Sequence, residues 1–392
     1  MAYFATPIAI EPSLPCSGAG NVTDCNRVSK RILLPRSRRI YTDSGGYHCK
    51  GVKAIKALAW TTGGRIELVE HWPEPPATDD DVVVRVKAAG VCSTDIHMIA
   101  GRLSFAKPPW VPGHEISGEI ASVGSRVAGW KVGQRVAVDP IVGCGCCTAC
   151  RSGKSYLCQG GGEIGTNYGS GGYGQFVVAR PSNLYALPDE LDDTAGALLE
   201  PLTCTLGATQ RAGDLVGKRA LVFGPGPAGL LFTQLALAGG AIAVTLVGLD
   251  PERLALGKRL GAARTIDNTS GGLASELGEE RFDVVFEASG SVAAVEDCMR
   301  YVTRGGTVVL YGLHGSGRAA IDSDTVVGKD LRLVTCIAAP QLWERSIDLV
   351  RAGKINLAAL ISDIVPFREA ARKLNDCVAG HRRPFKMIIV HE

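Results

Sequence analysis

Between Lys53 and Val178 apolar and polar residues alternate in short runs, KAIKALAW, IELVEHW and DVVVRVKAAGV among them, broken by Gly and Pro. A period of two predicts half-buried strands. Glu119–Ala121, Arg135–Val138 and Gln175–Val178 extend the series. This is the pattern of a β-rich domain, and its less common side chains fall in the irregular loops.

From about residue 204 strands and helices alternate. Strands are expected at Ala220–Phe223, Val244–Asp250, Arg264–Ile266, Phe282–Glu287, Thr307–Tyr311 and Leu331–Thr335, with helices at Ala228–Ala238, Pro251–Leu260, Val292–Tyr301 and Leu342–Ala352. Apolar strands joined by helices predict a doubly wound parallel sheet covered on both faces, so the fold class is α/β with a second, β-rich domain. The final helix FREAARKLNDCVAG and strand FKMIIV are expected to return to the first domain. Ala220–Leu249 carries no charge over 30 residues, long enough for a membrane span. Its early Gly and Pro residues argue instead for strand, turn, helix and strand. Residues 1–52 mix Pro, Ser, Gly and Arg without a sustained period and are expected to be an extension lacking regular structure.

The 392 residues suit two domains. The net charge of +3 is concentrated in the first 50 residues; the remainder holds 35 basic and 36 acidic side chains. No basic groove for nucleic acid is written into that body. Five of the 13 Cys fall within 15 positions, which is metal-site spacing rather than a disulfide framework. The start lacks a basic region followed by an unbroken apolar one, so a secretory signal is not expected, and a reducing cytoplasmic setting suits thiolate ligands.

Three constellations carry chemistry. Gly224-Pro-Gly226-Pro227-Ala228-Gly229 follows ALVF and opens a helix. Its glycines allow a tight turn, close approach of a pyrophosphate, and close helix–strand packing. Asp250 ends the next strand, 21 residues after Gly229. A carboxylate there accepts ribose hydroxyl hydrogens and repels a 2′-phosphate, favouring NAD over NADP. Arg253 joins the expected cofactor-binding set. Cys144, Cys147, Cys150 and Cys158 can close a tetrahedral thiolate shell around a structural zinc; a register using Cys146 is the alternative. Finally, Cys92, Thr94 and His97 in GVCSTDIH, His114 and Glu115 in GHE, and Glu200 in LEP together offer thiolate, imidazole and carboxylate, the mixed set of a catalytic zinc.

With GVCSTDIH, PGHE, the four-Cys lobe, GSGGYGQFVV and GALLEPLTC in this order, residues 53–392 resemble the zinc-dependent medium-chain alcohol dehydrogenase family, in its sorbitol, threonine and polyol branch. The resemblance implies a GroES-like catalytic domain from residues 53–203 and 345–392, with a Rossmann NAD-binding domain at 204–344 between them. It implies a catalytic and a structural Zn2+ per chain, with Cys92 and His114 as ligands of the first. The third ligand is Glu115 or Glu200, with Glu200 favoured and Glu115 as exchanging or neighbouring carboxylate. Further implications are reversible hydride transfer between a small hydroxylated substrate and NAD, Thr94 as first proton acceptor, His97 as relay, and a homotetramer or homodimer. Glu200, where ethanol-type members usually carry Cys, argues against a simple ethanol dehydrogenase, and a polyol, sugar or cyclitol is the leading substrate class. Threonine or a simple secondary alcohol, and a non-enzymatic relative, stay open as alternatives.

Overall fold

The computed structural model describes residues 53–315, 318–381 and 384–392. The expected extension, residues 1–52, lies outside them.

The β-rich half opens with a hairpin of β1 (Ala54–Trp60) and β2 (Ile66–Pro73). Next come β3 (Val82–Gly90), α1 (Ser93–Ile99), β4 (Glu115–Val123), β5 (Arg135–Val138) and the short β6 (Ile141–Val142). A lobe with α2 (Thr148–Arg151) leads to β7 (Gly162–Glu163), β8 (Phe176–Ala179), β9 (Leu184–Ala186), α3 (Asp193–Ala197) and the buried helix α4 (Leu199–Ala212). The alternation in DVVVRVKAAG places Val82, Val84, Val86 and Ala88 inside, and β3 pairs with β4 and β8 across the middle of its sheet. Its apolar face packs on Ile116, Ile120, Val136, Val177 and Tyr173, one continuous core.

The second half contains β10 (Arg219–Phe223), α5 (Pro227–Ala238), β11 (Ala243–Gly248), α6 (Pro251–Arg259), β12 (Arg264–Asp267), α7 (Leu273–Leu277), β13 (Phe282–Glu287), α8 (Val292–Tyr301), β14 (Val302–Leu310), α9 (Ser323–Gly328) and β15 (Arg332–Thr335). The six strands are parallel in the order β12-β11-β10-β13-β14-β15. Leu221, Phe223 and Val285 face one apolar layer, whereas Ala220, Val222, Val284 and Phe286 face the other. Burial of both faces accounts for the uninterrupted apolar runs. The uncharged stretch is strand, turn, helix and strand, and no helix among the described residues is long and apolar enough to cross a membrane.

The chain then runs through α10 (Trp343–Arg351), β16 (Asp363–Pro366), α11 (Phe367–Val378) and β17 (Met387–Val390). β17 pairs antiparallel with β3, so the C-terminus completes the sheet that the N-terminal half began. Several boundaries differ from the sequence reading; β14, for one, starts at Val302 rather than Thr307, running straight on from α8. β11 stops at Gly248, because Asp250 turns out to cap α6 rather than finish the strand. The long helix α4 crosses position 204, where the composition changes. Its Thr203, Thr205 and Thr209 hydroxyls bond to backbone carbonyls, which is how polar residues are tolerated in a buried helix.

Candidate active site and cofactor site

Gly90 ends β3 and Cys92 immediately precedes α1, so the first metal candidate stands where a strand hands over to a helix. Asp95, at the third helical position, accepts from Cys92 N at 3.1 Å and thereby fixes that corner. The same carboxylate accepts from Gly113 N (3.3 Å) and Tyr173 Oη (3.1 Å) and lies 3.4 Å from His114 Nδ1. The Asp95 carboxylate faces Nδ1 without a hydrogen bond of normal geometry, and its charge there favours an imidazole that keeps Nε2 for a metal. Sequence reasoning gave Asp95 no role, although it lies inside the GVCSTDIH motif; its spacing from Cys92 was the available signal. Replacing Asp95 with Asn is expected to lower zinc affinity and turnover about 10- to 100-fold, the usual cost of losing a carboxylate behind a ligating imidazole. Metal titration alongside kinetics checks both numbers.

Ligand atoms of Cys92, His114 and Glu115 lie within 4.8 Å of one another. His114 and Glu115 are buried. Glu115 Oε1 pairs with Lys386 Nζ at 2.5 Å, and that lysine also donates to Val91 O. Glu115 Oε2 has no hydrogen-bond partner. A buried carboxylate oxygen left bare costs about 1–3 kcal/mol or more. A cation held with Cys92 and His114 removes that cost, so this donor set fits zinc.

The sequence reading favoured Glu200 as third ligand, and the structure leaves it outside this cluster. Glu200, on the first turn of α4, accepts from the Cys204 thiol at 3.1 Å. Burial, with help from the charges of Glu115 and Glu163, pushes its carboxyl up to about 7 against the opposing effect of His114. Asp139 is likewise pushed up to about 7 by burial, with Glu200 and Glu163 adding repulsion. Glu163, which the sequence reading passed over, thus lends its charge to the same region. Trp343 is buried, stacks on Tyr185 and lines a small cavity with Glu200 and Asp139. Phe105 and Trp110 flank a separate surface depression.

Thr94 is half-buried on the first turn of α1, and His97 follows one turn later on the same face. Burial and then the charge of Arg102 hold His97 below its ordinary pKa.

In the lobe, Cys144, Cys147, Cys150 and Cys158 form the other cluster of mutually close ligand atoms among the described residues. Sγ–Sγ distances are 4.0 Å for Cys144–Cys150 and 3.8 Å for Cys147–Cys158. Zinc–sulfur bonds of about 2.3 Å in a tetrahedron give edges of about 3.8 Å, so the shell matches zinc. Cys146 is exposed, 3.5 Å from Cys144 Sγ. Despite burial, the backbone N–H groups of Cys146 and Cys147 bring the Cys144 thiol down to about 6, while burial drives Cys150 up to about 12. Adjacent thiols compete for negative charge, and a dication relieves that competition.

The glycine loop lies at the carboxyl ends of β10 and β13, where the winding of the sheet reverses. Gly224 has φ +97°, and a Cβ there would meet the Ser289 backbone at 2.6 Å. A Cβ on Gly229 would strike Gly224 O, so helix and loop touch directly, whereas Gly226 faces open space. Pro227 and Ala228 begin α5 behind Gly226, leaving the helix N-terminus toward the cleft. Asp250 Oδ1 accepts from Glu252 N and Arg253 N, and Oδ2 lies 3.2 Å from Arg253 Nε. Arg253 also donates to Pro384 O and stacks over Phe385. Tyr311, just after β14, is half-buried, and desolvation together with the charges of Cys204, Glu200 and Cys92 pushes its pKa up. The nucleotide-type sheet therefore borders the thiolate–imidazole–carboxylate cluster.

The model of the alcohol dehydrogenase GroES-like domain matches residues 78–189, and that of the zinc-binding dehydrogenase matches residues 227–352. An L-threonine 3-dehydrogenase of Rhizobium johnstonii is 33% identical over 75% of this chain and 87% of its own length. The chain belongs to the zinc-binding medium-chain dehydrogenase/reductase family. A sorbitol dehydrogenase of Bacillus subtilis is 30% identical, over 75% of this chain and 86% of the relative. Among solved structures, a zinc-binding dehydrogenase from Sinorhizobium meliloti bound to NADP superposes with a TM-score of 0.80 at 30% identity, covering 86% of this chain and 99% of that one. The protein is thus a zinc-binding, NAD(P)-dependent oxidoreductase related to sugar, polyol and threonine dehydrogenases, with a GroES-like and a Rossmann-like domain.

Proposed function

We propose that this dehydrogenase oxidises a secondary hydroxyl of a polyol, sugar or cyclitol with NAD, reversibly, at a zinc held by Cys92, His114 and Glu115. The observation that carries this reading is the cluster of half-buried Cys92 with buried His114 and Glu115 beside the nucleotide-type sheet. When bound, zinc supplies Lewis acidity toward the substrate oxygen and the nicotinamide supplies the hydride acceptor.

The chain's own residues do the rest. Asp95 orients His114, and Lys386 anchors Glu115 through Oε1. Thr94 Oγ1 accepts the substrate hydroxyl proton as it gives up its own, which passes through cofactor hydroxyls or water to His97. Cys144, Cys147, Cys150 and Cys158 hold the structural zinc. The glycine loop Gly224–Gly229 and the N-terminus of α5 take the pyrophosphate, and Asp250 with Arg253 takes the adenine-side ribose. Glu163, Asp139 and Glu200 make the region acidic, and Lys386 is already committed to Glu115. With their carboxyls pushed up to about 7, Asp139 and Glu200 offer hydrogen bonds suited to a neutral polyhydroxylated substrate, whereas the carboxylate of a substrate such as threonine would find Lys386 already taken.

Glu115→Gln is expected to reduce zinc content toward one per chain, while Glu200→Gln keeps two and loses turnover. Zinc assay of both variants tests this; the reverse pattern would return Glu200 to the ligand set. Asp250→Asn keeps the helix cap but removes the charge facing a 2′-phosphate. It is expected to raise the NADP-to-NAD ratio of kcat/KM about a hundredfold, the size of a like-charge penalty of several kcal/mol. Reduction of NAD and NADP across polyols, sugars, cyclitols, threonine and simple alcohols tests the substrate class. A clear preference for threonine would sink it.

A further inference from the structure

We propose that Arg102 is a positioning residue that latches His97 in one tautomer by occupying its only basic ring nitrogen, so that His97 takes a proton at that nitrogen only once Arg102 lets go. This rests on the reading of His97 as the end of the proton path.

The latch is built by the turn that ends α1. Gly101, at φ +74°, reverses the chain, and the backbone N–H groups of Arg102 and Leu103 both return to His97 O, at 2.8 and 3.2 Å. Arg102 is thereby folded back over the ring it follows, and its Nε lies 2.7 Å from His97 Nδ1. A guanidinium has donors and no acceptor and stays protonated, so Nε–H donates. The atom receiving it must be a lone pair. Neutral imidazole has one lone pair and one N–H, which places the hydrogen of His97 on Nε2. In this arrangement Nε2 can give a proton but cannot take one, and Nδ1 is covered.

The surroundings leave Arg102 as the group that decides the state of His97. Burial and the Arg102 charge are the two causes of its lowered pKa. Helix α11 packs against α1 and carries Arg368, Glu369, Arg372, Lys373 and Asp376; Arg368 pairs with Glu392 and Arg372 with Asp376. Across the domain seam, the loop after β14 brings His314 and Gly315, and a Cβ on Gly315 would come within 3.7 Å of Arg102 Cβ. The arginine stem therefore rests on the nucleotide-binding side while its head holds His97. A change in that loop has a direct mechanical route to the latch.

Imidazole nitrogen NMR of the 15N-labelled full chain, with His97→Gln used to identify the His97 signals, tests the proposal. At pH 7.5 the wild type should show His97 with hydrogen on Nε2 and a bare Nδ1. Arg102→Gln, a change at an exposed side chain, should relax that tautomer preference and raise the His97 midpoint by roughly half a pH unit or more, the effect of one unit charge about 4 Å away in water. Arg102→Lys should keep part of the pKa effect and lose the tautomer preference. An unchanged tautomer and midpoint in Arg102→Gln would overturn the latch. The acid limb of kcat, measured on the same variants, should move upward with the NMR midpoint. If the NMR changes appear and the limb stays in place, the latch stands and the proton-path reading of His97 fails.

Discussion

Cys92→Ser is expected to lose one zinc per chain and at least about a thousandfold in turnover, with the fold retained. The thiolate is the soft ligand of its cluster, and a serine hydroxyl is a far poorer partner for zinc at neutral pH. Polarisation of a substrate oxygen by a metal is worth several kcal/mol, and each 1.4 kcal/mol is tenfold in rate. The backbone need not suffer: Cys92 stands at the N-cap of α1, a position that serine favours, and its amide would still bond to Asp95. Turnover, zinc content and thermal midpoint measured on one preparation separate chemistry from stability. Wild-type turnover in a correctly folded variant would remove Cys92 from the site.

The second large effect is on stability. Cys150→Ser is expected to lose the other zinc and about 4 kcal/mol or more of local stability, since metal loss belongs to the few changes that reach this size. Residues 143–161 are half-buried or exposed throughout. The lobe thus has no apolar core of its own, and metal binding stands in for one. Its tie to the rest of the molecule includes Arg211 of α4, which donates to Tyr156 Oη at 2.8 Å and stacks over that ring. Opening should therefore be confined at first to the lobe. Limited proteolysis should cut the variant between Gly143 and Gly161 while the Rossmann sheet stays protected. Resistance equal to the wild type would show that the lobe is held by its loops rather than by metal.

Local spacing made part of this molecule legible before any coordinates. The turn at Gly224–Gly229, the four lobe cysteines and the pair His114-Glu115 each concentrate their chemistry within a few residues, and short-range pattern records such sites directly. The parallel sheet was legible for the same reason, because burial of both faces writes a continuous apolar run into each strand. What escaped depends on distant contacts or on side-chain direction. Lys386 meets Glu115 across 271 residues, and nothing near either announces the other. Glu163 adds charge to the site from the short strand β7, whose place only the fold defines. Asp95 and Arg102 lay in plain view, but the roles of their carboxylate and guanidinium depend on where α1 ends and which way the chain turns. The choice between Glu115 and Glu200 was undecidable from composition, since both are carboxylates in suitable motifs; the unpartnered Glu115 Oε2 next to Cys92 and His114 is what favours Glu115 in the proposed ligand set.

The most direct test of the account is metal removal followed through activity. The purified chain is stripped stepwise with a chelator and then reloaded, with Cys92→Ser carried through the same steps to mark the zinc of the lobe, and zinc content and NADH formation from a responsive polyol are recorded at each step. The account predicts about two zincs per chain at the start, loss of NADH formation in proportion to the zinc that leaves the Cys92–His114–Glu115 site rather than the lobe, and its return on adding zinc alone. NADH formation that persists after the Cys92–His114–Glu115 site has been emptied would contradict it.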